Sequence, residues 1–127
     1  MVRIVPTTTT LSTRDARRLA SFYEALLGWR RTTDEPGWVV IAGGDTAHRI
    51  AFHEDIAYEQ PEWPSRAGRQ QMQVHLELGA DDVGAAVAHA IACGARLAEV
   101  QPQESVRVML DPDGHPFCLF PADLGPT

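Results

Sequence analysis

Cysteine is scarce: Cys93 and Cys118 stand alone, with no CxxC pair and no dense framework. That excludes a disulfide-stapled scaffold and reads as two reduced thiols in a cytoplasmic protein. No stretch approaches the roughly 18 consecutive apolar residues of a membrane span. The opening MVRIVPTTTT lacks the long apolar core of a secretory signal. Positive charge is in the minority, 11 Lys and Arg against 17 Asp and Glu, net −6. This argues against nucleic acid or an anionic membrane as partner. The arginines that do cluster, Arg14, Arg17, Arg18, Arg30 and Arg31, read as a solvated helix face. There is no phosphate-binding glycine loop and no nucleophile-elbow sequence. The DPDG at 111–114 lacks the further acids of a calcium loop and is first a turn former.

What remains is an ordinary globular composition, 44% apolar and 22% charged over 127 residues. That is the size of one domain, long enough to bury a core. Its organising feature is a loose internal repeat. TTTTLST (7–13) is β-branched and strand-like. It runs into DARRLASFYEALLG, where Leu19, Phe22, Tyr23, Leu26 and Leu27 recur at helical spacing, with Ser12 or Thr13 as cap and Gly28 as stop. Strand candidates WRRTT (29–33), WVVIA (38–42) and RIAFHE (49–54) follow, separated by DEPG and GGD turns. The second half repeats this order. QMQVHLEL (71–78) alternates like a half-buried strand. DDVGAAVAHAIACG places Val83, Val87, Ala90 and Ile91 on one helical face and stops at Gly94. ARLAEV (95–100), SVRVML (105–110) and HPFCLF (115–120) close the chain. The expected fold is α+β: two tandem βαβββ modules at about 5–56 and 71–122, joined by a Pro-rich surface linker at about 57–70.

Three stretches in this order, RDARRLASFYEALLGW, VHLELGADDVGAAVAHAIACGA and LDPDGHPFCLF, resemble the vicinal oxygen chelate superfamily. That is the group of glyoxalase I, extradiol dioxygenases and the fosfomycin and bleomycin resistance proteins. The nearest likeness is to its glyoxalase-like branch. The resemblance implies one glyoxalase-like domain over 1–127, with mixed sheets curled around a cleft, helices outside and chemistry in the cleft.

Strand alternation assigns faces independently of the family. Met72, Val74, Leu76 and Leu78 form the apolar set of 71–78, leaving Gln71, Gln73, His75 and Glu77 for the cleft. Ile50 and Phe52 are core, leaving Ala51 and His53. Val106, Val108 and Leu110 are assigned to the helix side, leaving Arg107 and Met109. Phe117 and Leu119 are core, leaving Pro116, Cys118 and Phe120. The candidate ligand-binding set is therefore His53, Gln73, His75, Glu77, Arg107 and Cys118.

Metal-dependent members of the superfamily take His, Glu or Gln ligands from the first, fourth, fifth and eighth strands. The matching positions here are Thr8, His53, His75 and Cys118. Threonine is a poor ligand and the acid is missing, so no metal and no cofactor are expected. A divalent ion at His53, His75 and Cys118 is the alternative. Trp38 and Trp63 suit a pocket wall or an interface. Three functions follow as expectations. One is a metal-independent binder of a small organic molecule. The second is a metal-dependent lyase, isomerase or dioxygenase with an atypical ligand set. The third is a drug-sequestering protein without catalysis. A homodimer is expected in each case.

Overall fold

Asp15 and Asp82 each open a helix, and the 67 positions between them (82 − 15) set the spacing of the whole repeat. The computed structural model describes residues 2–126. They fall into two compact units, one ending at Tyr58 and the other beginning at Glu59. The first unit contains β1 (Thr8–Thr13), α1 (Ala16–Leu27), β2 (Arg30–Glu35), β3 (Trp38–Ala42) and β4 (Arg49–Glu54). The second contains β5 (Leu76–Ala80), α2 (Val83–Cys93), β6 (Arg96–Leu97), β7 (Arg107–Leu110) and β8 (Pro116–Pro121). Each forms a four-stranded mixed sheet, ordered β1-β4-β3-β2 and β5-β8-β7-β6, with its first strand parallel to its last. β4 and β8 are offset by the same 67 positions at both ends.

In the first unit the helix reads as its sequence spacing predicts. Ala16, Leu19, Ala20, Phe22 and Tyr23 form the buried stripe, and Tyr23 stacks on Phe52 of β4 at 5.6 Å between ring centroids. The cap is Asp15, whose carboxylate accepts from the backbone N–H of Arg18 at 3.1 Å. Ser12 and Thr13, the expected caps, are corrected. Thr13 is fully buried and its hydroxyl accepts from the N–H of Asp15 at 3.0 Å, so it shapes the strand-to-helix turn one step earlier. The arginine cluster is largely engaged locally. Arg17 pairs with Asp34 and Arg31 with Glu24, each at 2.8 Å, and Arg14 donates to the carbonyl of Tyr58.

The second unit departs further from its pattern. α2 buries only Ala90, and Ile91, expected on the packed stripe, is 49% exposed. VGAAVAHAIAC is apolar nearly all round, so no single stripe dictates which face turns inward. The strand expected over 71–78 starts at Leu76. β5 pairs only with β8, and the residue level with His75 is Pro116, the first of β8, which has no N–H to donate. Upstream there is no partner strand among the described residues, so Met72, Gln73 and Val74 leave the sheet and Val74 is 68% exposed. β6 stops at Leu97 because the Gln101 amide takes over the ladder. It donates to the carbonyls of Ala98 and Val108 and accepts from the N–H of Val108.

The expected surface linker is in part a strap on the second unit. Pro61 is buried, the Trp63 indole N–H donates to the carbonyl of Val100 at 3.2 Å, and Glu62 bonds Arg69 and Arg66. Gln60 lies where a Cβ on Gly114 would stand, 2.3 Å from that position, and Gly114 has φ +86. Glycine is required there on both counts. Among the described residues, no helix is long and apolar enough to cross a membrane.

Candidate functional site

Asp111 builds the turn that launches β8. Its carboxylate is 1% exposed and accepts from the N–H groups of Asp113 (2.9 Å) and His115 (3.0 Å). Backbone bonds from Asp111 N–H to His115 O and from Gly114 N–H to Asp111 O close the loop. β8 leaves this turn between β5 and β7, so Cys118 lies level with Glu77 on one side and Val108 on the other. Residues level across a sheet share a face. Cys118, 9% exposed, packs against Ala98 and Val108, with Trp63, Val106 and Leu110 at the margin.

His75 stands one residue before β5, and its Nε2 lies 2.7 Å from Oε2 of Glu77. Ligand atoms of His75, Glu77 and Cys118 all lie within 4.8 Å of one another. The Cys118 thiol is pushed up to about 11, first by burial and then by its hydrogen bond to the Glu77 carboxylate and that group's charge. It is therefore a neutral S–H donor near pH 7, not a nucleophile. At pH 8 the thiolate fraction is roughly one in a thousand, more than about 200-fold below that of an unperturbed thiol. Alkylation followed by peptide mass mapping is expected to label half-buried Cys93 first and Cys118 slowly. Equal rates would contradict the buried, hydrogen-bonded thiol.

The other sequence candidates are placed as follows. Gln73 is exposed and outside the sheet. Arg107 is level with Leu119, on the face opposite Cys118, and its guanidinium donates to the carbonyls of Gln103 (2.8 Å) and Glu104 (2.6 Å). The assignment of Arg107 and Met109 to the Cys118 face is thus reversed. Val108 takes that face, and Met109 is fully buried beside Phe117. VRVML carries apolar residues on both faces, so its alternation is ambiguous without the β8 register. His53 is exposed on the first unit, level with Ser12 and Trp38, its ring 6.5 Å from that of Trp38. The 67-residue offset makes Ala51, not His53, the counterpart of Cys118. It makes Thr8 the counterpart of His75 and Thr10 that of Glu77.

Sequence reasoning missed a groove of about 690 Å³ between the strap and the β6–β7 edge, lined in part by Trp63, Arg69, Arg96 and Leu110. Its signal was Arg96 within ARLAEV, which stands level with Leu110.

A glyoxalase-like domain family model matches residues 8–120. None of the curated proteins matches the chain significantly. Among solved structures, a glyoxalase/bleomycin resistance protein/dioxygenase family enzyme from Burkholderia phytofirmans PsJN is similar at TM-score 0.70 and 21% identity, over 91% of this chain and 96% of its own. The antibiotic binding protein TnmS3 from Streptomyces sp. CB03234 is similar at 0.64 and 18%, over 97% and 99%. A lactoylglutathione lyase from Agrobacterium tumefaciens is similar at 0.64 and 16%, over 93% of each chain. At these identities the likenesses speak to the fold, which is the α+β fold of two βαβββ units. The chain belongs to the glyoxalase-like domain family.

Proposed function

We propose that this protein binds a small organic molecule without a resident metal, on the face of the second sheet that carries His75, Glu77 and Cys118. One observation supports this above the others. The repeat register puts Thr8 and Ala51 in the first unit where His75 and Cys118 stand in the second. At the first-unit positions that match the family's metal ligands, the chain thus carries a hydroxyl and a methyl. Those residues do not fit the ion. The second unit instead offers a coupled imidazole and carboxylate beside a neutral thiol and an apolar wall. That suits a polar head on an apolar body.

A second reading, a metal-dependent lyase, isomerase or dioxygenase, is favoured by the 4.8 Å cluster itself. Nitrogen, oxygen and sulfur donors from three residues are a set that zinc accepts. The similarity to an antibiotic binding protein supports sequestration without turnover as a variant of the first reading. A thermal-shift screen of small aromatic and polar compounds tests the choice. Binding that survives a chelator and weakens in Glu77→Ala supports the first reading. Binding that requires an added divalent ion supports the second.

Exposed Ile91, Leu97 and Val100 on the second unit are consistent with pairing of two copies, giving twice the 13.9 kDa chain mass in solution.

A further inference from the structure

The groove under the strap has its own chemistry. The indole N–H of Trp63 is committed to Val100, so what Trp63 can offer a ligand is ring surface. Leu110 and Arg96 are level across β6 and β7 and share a face. Trp63 and Leu110 also pack at the margin of the Cys118 cluster, so the groove adjoins that site. Of the two guanidiniums in the wall, Arg69 is held by Glu62 at 2.8 Å. Arg96 makes no ion pair or side-chain hydrogen bond among the described residues. The wall also holds Glu59 and Glu62, so its formal charges cancel before a ligand arrives.

We propose that this groove takes an organic monocarboxylate, its carboxylate on Arg96 and a flat apolar body against Trp63 and Leu110. A guanidinium offers a carboxylate a two-pronged fit. The cancelled formal charge disfavours a dianion such as a phosphate monoester. The inference rests on the reading that this unit binds small molecules, and it names their class.

The test is calorimetric titration of the full chain with 2-naphthoate, 2-naphthalenemethanol and 2-naphthyl phosphate. Naphthoate is expected to bind more tightly than the alcohol and the phosphate. Arg96→Gln should weaken naphthoate about tenfold or more while changing the alcohol less than about twofold. Trp63→Phe, which keeps a ring, should weaken both carboxylate and alcohol modestly; circular dichroism confirms that each variant folds. Equal affinity for naphthoate and alcohol, indifference of naphthoate to Arg96→Gln, or preference for the phosphate overturns the proposal. Naphthoate binding that falls in Glu77→Ala but not in Arg96→Gln sinks this inference while sparing the parent reading. Absence of small-molecule binding in both this titration and the wider screen sinks both.

Discussion

Asp111→Ala is expected to lower the unfolding free energy by about 2–4 kcal/mol in urea titrations. The carboxylate is buried and accepts from the N–H groups of Asp113 and His115. Removing it leaves two donors in the turn without that acceptor, at about 1–3 kcal/mol each, less whatever water recovers. Asp111→Asn keeps an acceptor oxygen and should cost about half as much. The effect bears on function because this turn sets where β8 begins, and so sets Cys118 level with Glu77. A loss below about 0.5 kcal/mol would show that the turn holds without the side chain.

The second large effect is expected from Cys118→Glu. The new carboxylate would enter a site that is 9% exposed, beside Glu77, with Ala98 and Val108 as the remaining walls. Two carboxylates forced together in a partly dry site repel, and the stability lost in chelator at pH 7.5 should be about 2–4 kcal/mol. The sign with pH follows. A carboxylate held above its unfolded pKa contributes stability at low pH and loses it as pH rises, so the variant should recover as pH falls towards 5. With His75 adjacent, the variant also presents one nitrogen and two carboxylate donors, and added Zn²⁺ or Mn²⁺ should restore part of the loss. A variant as stable as the parent in chelator would mean that the side chain at 118 does not meet Glu77.

Much of the fold was legible because local signals and long-range pairing agree. WVVIA lies between two glycine turns, RIAFHE follows the second, and they became β3 and β4 at the residues expected. The alternation in 71–78 was also real, but a strand needs a partner, and Pro116 with the DPDG turn removes one upstream of Leu76. Short-range pattern carries no information about where a neighbouring strand runs out. The same limit explains Arg107, whose face is decided by the register of β7 on β8. His75, Glu77 and Cys118 were within reach of alternation because each stands on or beside a strand whose register is anchored, β8 by its turn and β5 by β8. Beyond Arg96 in ARLAEV, the groove was not legible. It depends on Gln60 settling over Gly114 and on Trp63 reaching Val100, contacts between residues far apart in sequence with no periodic signature.

The central claim, that the His75–Glu77–Cys118 cluster works without a resident metal, is tested most directly by elemental analysis of protein purified without a tag and without chelator. Less than about a tenth of an equivalent of Zn, Ni, Mn or Fe per chain is the result predicted. About one equivalent, lost in Cys118→Ser and in His75→Ala, would contradict it and make the cluster a metal centre.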